Sequence, residues 1–305
     1  MSKGVLLMAY GTPEGPEQVE PYFTHIRGGR TPSPESVERL KKRYELVGGR
    51  TPLLDITNQV RQGLERTLAL SGLNGARPRV YVGMKHWHPF IGEVLPRIAA
   101  DGVTDLVAVA LAPHYSRISI GGYRKAVDDA LAVLPAPPKV RFVDQWHLND
   151  AFLDLVAARI RETLGTWDAR TRAQVVTVFS AHSLPERIRT WNDPYEEQLL
   201  ASCRAVADRV GLDNWRFAWQ SAGETGEPWL GPDIVDVVQT LYDDGARHVL
   251  SVPIGFVSDH LEVLYDIDHE AKRRADELSM TLRRIRMPNA DPAFVEALAS
   301  VVETS

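Results

Sequence analysis

Residues 258–270 read SDHLEVLYDIDHE and place Glu262, Asp266 and Glu270 at i, i+4 and i+8. If the segment is helical, one face carries a column of three carboxylates. Like charges at that spacing repel, so a column kept without interleaved Lys or Arg suits holding a cation or moving protons. The ordinary explanation is a solvated helix face. Two features oppose it. The column follows the apolar run VLSVPIGFV, so it starts at the C-terminal end of a buried strand, and FSAHSLPERI places His182 at the end of another. Asp259 and Glu262 also match a D-x-x-E capping box, which would leave Glu262 satisfying a helix N-terminus. With His182 nearby, the chemical reading prevails. A neutral imidazole and a carboxylate, with acids leading outward, suit a hard or borderline divalent cation that is held and passed on. A permanent structural metal would want four closed ligands.

Other candidates are weaker. His86 and His88 form an H-x-H at a strand end, where a satisfied pair is commoner than a metal site; His114 in LAPHYS and Lys85 also follow strands. Ser180 and Ser183 flank His182 without an acid placed to complete a triad. The sequence has no GxGxxG after a strand, no P-loop, no HExxH and no nucleophile elbow, which removes the usual signatures of dinucleotide, nucleotide, zinc-protease and hydrolase chemistry. Basic residues gather at Arg27, Arg30, Lys41, Lys42, Arg43 and Arg50, and Trp191 and Trp229 fall in loops. Aromatic walls, an arginine rim and a His–Glu site together imply a flat, apolar, anionic ligand that meets a metal.

The elements that must carry these groups alternate. Apolar runs GVLLMAY, RVYVGM, DLVAVALA and VRFVDQW in the first half, and VVTVFSA, RFAWQSA, HVLSVPIGFV and LRRIRM in the second, are separated by amphipathic helical stretches. That is the pattern of parallel sheets with crossover helices. Ser33-Pro34 and Asp291-Pro292 offer an N-cap followed by Pro at N1; Asp193-Pro194 adds Glu196 as a capping box. The halves look like copies: Asp101-Gly102 precedes DLVAV as Asp244-Gly245 precedes HVLSV, and Ala9-Tyr10-Gly11 matches Ala181-His182-Ser183. The expected fold is α/β, with two similar Rossmann-like domains, 1–147 and 148–305, each a parallel sheet flanked by helices. Ligands of such sheets bind beyond the C-terminal strand ends, so an interdomain cleft with Tyr10 and His182 on opposite walls is expected.

The net charge of −5 over 305 residues gives no basic footprint for nucleic acid. The single cysteine, Cys203, excludes an internal disulfide and a cysteine-ligated iron–sulfur cluster, and fits a reducing cytoplasm. The first apolar run is too short for a signal peptide and the longest, residues 106–112, cannot span a bilayer. A cytoplasmic monomer without membrane insertion is the expectation.

These residues carry a family resemblance over nearly the whole length. AYGTP, HIRGGRTPSPE, GGRTPL, GMKHWHPFI, LAPHYS, FSAHSLPERI, WQSAGETGEPWLGPD and PIGFVSDHLEVLYDIDHE resemble segments of the ferrochelatases, most nearly the soluble bacterial type that inserts iron into coproporphyrin III. The resemblance implies His182 and Glu262 as catalytic and metal-binding residues, with Asp266 and Glu270 as further metal positions. It implies Tyr10 beneath the porphyrin, and Arg27, Arg43, Tyr44, Thr51 and Tyr123 as propionate and rim contacts. Coproporphyrin III and Fe²⁺ are then substrates, with no permanent cofactor. Two departures stand out: the family's paired arginines are Arg27-Gly28 here, and a serine common before the tyrosine is Gly122. Two other readings remain open: protoporphyrin IX as substrate, and a carrier that binds porphyrin or metal without chemistry.

Overall fold

The computed structural model describes residues 2–70, 78–223 and 225–305. Glu224, inside the WQSAGETGEPWLGPD segment, lies outside the described residues. All eight apolar runs form strands: β1 Ser2–Ala9, β2 Arg79–Met84, β3 Val103–Ala110, β4 Lys139–Val143, β5 Val176–His182, β6 Trp215–Gln220, β7 His248–Val252 and β8 Thr281–Arg284. Between them lie α1 Val19–Ile26, α2 Pro34–Leu46, α3 Leu53–Leu70, α4 Ile91–Ala100, α5 Ile120–Leu131, α6 Asp150–Leu164, α7 Ala169–Arg172, α8 Tyr195–Val210 and α9 Ile234–Asp243. A π-helix, Val263–Ala271, runs directly into α10 Lys272–Glu277, and α11 Pro292–Thr304 ends the chain.

The strands form two four-stranded parallel sheets, ordered β2-β1-β3-β4 and β6-β5-β7-β8. The second order is the first with each strand advanced by four places in a different labelling of the same path, which is the duplication expected from the matching turns. Both faces of each sheet are covered, which is why the strands read as unbroken apolar runs rather than alternating ones. In the first unit Leu6, Met8, Leu106 and Ala108 meet α4 and α5 through Ile91, Leu95 and Ile120. Ala9, Val82 and Met84 turn to the other face, against Leu54 of α3. In the second, Val176, Val178 and Val249 meet α9 and the π-helix through Val238, Ile267 and Ala271.

Contacts divide the chain into Met1–Trp146 with Asn289–Ser305, and His147–Pro288. The expected division at 147 and 148 therefore needs correction at the C-terminus: the last segment returns to the first unit. The reason is packing. α11 lies against α3, Phe294 meets Trp146 with ring centroids 6.1 Å apart, and Val295 fills the space over Gly63, where a Cβ would come within 2.9 Å of it.

Helix starts follow the sequence in two of three places. Ser33 accepts from the Ser36 amide and Asp291 from the Ala293 amide. Asp193 accepts from the Tyr195 amide at 3.1 Å, but Glu196 is drawn away into a two-pronged pair with Arg189 at 2.8 Å instead of closing a capping box. The expected helix over residues 258–270 forms only from Leu261, and from Val263 it winds as a π-helix.

Candidate active site of the second unit

β5 and β6 end side by side, with His182 paired to Gln220 in register. The Ser183 amide donates to the Gln220 carbonyl at 2.7 Å. The side chain of Gln220 is fully buried and reads both neighbours: its Oε1 accepts from Ser180 at 2.9 Å and its Nε2 donates to the Glu262 carbonyl at 2.9 Å. One side chain thus ties the strand that carries His182 to the entry of the helix that carries Glu262. Gly255, after β7, brings its amide to the Ser180 carbonyl at 3.1 Å. A Cβ at Gly255 would lie 2.6 Å from that of Ala181, so only glycine permits this approach.

These supports bring His182 Nε2 to 3.4 Å from Glu262 Oε1. The ring's other nitrogen, Nδ1, donates to the Ser183 carbonyl, which fixes its role and leaves Nε2 to face Glu262. Tyr195 donates its hydroxyl to the His182 carbonyl at 3.1 Å, and Trp229 lies beside the imidazole with centroids 6.3 Å apart. The second carboxylate oxygen of Glu262 faces His260 Nε2 at 3.3 Å, and His260 Nδ1 donates to the Ser258 carbonyl at 3.0 Å. Glu262 is therefore held between two histidines. The capping-box reading fails: this helix start has no side-chain cap bond, and Asp259 pairs with Arg284 at 3.1 Å.

The electrostatics follow from that geometry. Burial opposes charge on His182, but the Glu262 carboxylate outweighs it and lifts the imidazole to about 9. Burial likewise opposes charge on Glu262, yet His182 and His260 hold it well below the usual carboxylate range. Their side chains keep 31% and 28% of their surface exposed, so the pair is a reachable ion pair and not a sealed one. At neutral pH the pair is therefore a His182 imidazolium facing a Glu262 carboxylate.

Asp266 is buried and accepts from the Ser221 hydroxyl. Glu270, further along, is partly exposed, and its charge adds to burial in raising Asp233, the N-cap of α9. Among the described residues no three His, Cys, Asp or Glu side chains converge as a closed metal site. Asp266 adds to the charge that raises His182, and Glu270 follows it on the same π-helix.

The remaining candidates belong to the first unit. Tyr10 is 38% exposed just beyond β1, and its ring lies 4.5 Å from that of His86. His86 and His88 are satisfied separately, as the commoner reading of the H-x-H expects: His88 Nδ1 bonds Glu93 at 3.0 Å, while His86 Nδ1 meets Nδ1 of His25 at 3.2 Å. Burial, then the charge of Lys85, lowers His86 to about 3. Arg27 is exposed at the end of α1, its guanidinium 5.7 Å from the Phe23 ring centroid, and Arg43 is half-buried on α2. Tyr44 and Thr51 are buried around Thr12, whose Oγ1 lies 3.3 Å from the tyrosine hydroxyl and 2.9 Å from the threonine one. Tyr123 is buried on α5 under the Lys85 ammonium, 5.1 Å from its ring centroid. Gly122 makes room for that lysine, since a Cβ there would meet Nζ at 2.4 Å. His114 is buried after β3. Trp191 lies under Arg187 at 5.6 Å.

His260, Gln220, Ser221 and Tyr195 were absent from the sequence-based set. His260 lies two residues before Glu262 in the same segment, and Gln220 and Ser221 lie in WQSAGETGEPWLGPD, so all three fall in segments that carry the resemblance; Tyr195 does not.

A sequence profile described as "Ferrochelatase" matches residues 2–305. A protein named "Ferrochelatase" from Herpetosiphon aurantiacus is 49% identical, covering 98% of this chain and 97% of its own. The chain belongs to the ferrochelatase family. A "Coproporphyrin III ferrochelatase" from Anoxybacillus flavithermus is 43% identical over 98% of this chain and 95% of its own. Among solved structures, SirB from Bacillus subtilis with Fe³⁺ covers 99% of this chain and 95% of its own, with a TM-score of 0.63 at 10% identity. That likeness shows the chelatase fold alone.

Proposed function

We propose that this ferrochelatase inserts Fe²⁺ into coproporphyrin III, and that His182 and Glu262 carry the chemistry. The observation that carries the reading is the 3.4 Å pair between His182 Nε2 and Glu262 Oε1, at the head of a carboxylate path. Inserting iron requires a hydrated cation to shed water and two pyrrole nitrogens to lose protons. A cation arriving along Glu270 and Asp266 reaches Glu262, whose negative charge it neutralises. That removes the cause of the raised His182 pKa, so the imidazole releases its proton. Neutral Nε2 is then free to hold the metal or to take a pyrrole proton. His260 keeps Glu262 oriented throughout. Tyr10, Arg27, Arg43, Tyr44, Thr51 and Tyr123 remain the proposed porphyrin contacts, the exposed Tyr10 and Arg27 directly and the buried Tyr44, Thr51 and Tyr123 by setting the surface above them. Iron is a substrate, and the reaction needs no resident cofactor; burial pushes the lone Cys203 thiol upward, away from ligand chemistry.

Coproporphyrin III is favoured by the relatives that carry that name at 40–43% identity. It also bears four propionates against two on protoporphyrin IX, which suits a polar rim; among the described residues no helix is long and apolar enough to cross a membrane. Iron insertion assayed with the two porphyrins side by side tests the choice. A higher kcat/KM for coproporphyrin III is expected, and equal or greater turnover of protoporphyrin IX overturns it. Stoichiometric binding without turnover of either would return the carrier reading.

A further inference from the structure

The charge path depends on how the π-helix is wound. Its hydrogen bonds run i→i+5, which turns the backbone less per residue than an α-helix does. Over the eight steps from Glu262 to Glu270, rewinding to α would swing one carboxylate relative to the other by on the order of 100°. Something must hold the wider winding, since such segments persist only where their surroundings fix them.

Asp268 lies between Asp266 and Glu270 in sequence, and two residues apart on such a helix are on roughly opposite sides. On that far side Arg284, the last residue of β8, grips it with a two-pronged bond: Nε to Oδ1 and a terminal nitrogen to Oδ2, both 2.8 Å. The same terminal nitrogen reaches Asp259 Oδ1 at 3.1 Å. Arg284 keeps only 15% of its side-chain surface exposed. Asp259 precedes Glu262 and Asp268 follows it, so one guanidinium clamps both ends of the stretch that contains the working carboxylate. A planar fork fixes orientation as well as distance, which an ammonium cannot do.

We propose that Arg284 is a positioning residue for metal uptake: by pinning Asp268 and Asp259 to the end of β8 it sets the winding that keeps Glu262, Asp266 and Glu270 in one path. This rests on those carboxylates being the metal path. The carboxylates that Arg284 holds are Asp268 and Asp259, so the effect is expected on the metal side of the kinetics.

The test compares wild type with Arg284→Met, Arg284→Lys, Asp268→Asn and the Arg284→Met/Asp268→Asn double variant. Zn²⁺ and Fe²⁺ serve as metals, with coproporphyrin III as acceptor. Each single variant is expected to raise KM for metal about tenfold while KM for porphyrin stays within about twofold. Arg284→Lys should resemble Arg284→Met, because lysine cannot fork. The double variant should be no worse than either single one, since both remove the same contact. Asp268 is the more exposed partner, at 38% against 15%, so Asp268→Asn keeps the test alive should Arg284→Met fold poorly. An unchanged metal KM in folded Asp268→Asn and Arg284→Lys overturns the clamp, as do losses spread equally over both substrates or multiplying in the double variant. Glu262→Gln, run alongside, separates the two claims: if it is fully active the metal path itself is wrong, and if it is inactive while the Arg284 variants are normal, only the clamp is.

Discussion

At the scale of residues, the proposed function makes His182 the holder of a proton that the metal must displace. Its pKa is raised to about 9, so the pair with Glu262 is fully charged below that pH and loses its proton as pH rises through it. Metal ligation needs neutral imidazole, and apparent affinity should weaken by about tenfold for each pH unit below 9. Zn²⁺ titrations between pH 7 and 9 should show that slope, and a flat profile would mean that His182 does not ligate. Glu262→Gln removes the charge that lifts the imidazole while keeping the side chain's size. Its pH profile should move to lower pH and its turnover should fall about 10²–10⁴-fold. A helix cap at Glu262 would instead have left the rate nearly intact. Sequence exposed the ends of this pair, because both His182 and Glu262 follow apolar runs. It could not expose Gln220 as a tie, because that role depends on which strand lies beside which. The partner of His86 was hidden for the same reason: His25, which it meets, is 61 residues away.

At the scale of elements, the strands were legible because a sheet covered on both faces leaves an unbroken apolar run between turn residues. The π-helix was not, because i, i+4 and i+8 spacing already marks one broad face of an α-helix, spread over about 80°, and nothing in the spacing reveals the wider winding; the contacts that bear on it come from Arg284 of β8 and Gln220 of β6. Close approach of β5 and β7 places His182. Gly255→Ala would drive a methyl to 2.6 Å from Ala181 Cβ, and that contact must open. Overpacking of this kind costs about 1–3 kcal/mol. The expected result is a lower melting temperature together with reduced kcat, since the displaced residue precedes His182. A fully active, equally stable Gly255→Ala protein would show that this approach does not position the histidine.

At the scale of the whole molecule, the repeated strand order explains why the sequence could be split into copies. The copies are not closed units, however, because α11 belongs with the first. Asp291-Pro292 announced a helix start, but capping chemistry says nothing about the partner of the helix, which is set by Phe294 against Trp146 and Val295 over Gly63. Removing residues 289–305 should therefore expose α3. Hydrogen exchange should show α3 losing protection while β5, β6 and β7 keep theirs. Loss confined to the second unit would contradict the division.

The central claim is that His182 does the chemistry of metal insertion and is not merely a packed side chain. It is tested most directly by His182→Ala, assayed for coproporphyrin binding by fluorescence and for metal insertion by absorbance on one preparation. Binding should persist within a fewfold while insertion falls by about 10²–10⁴. Near-normal insertion by the folded variant would contradict it.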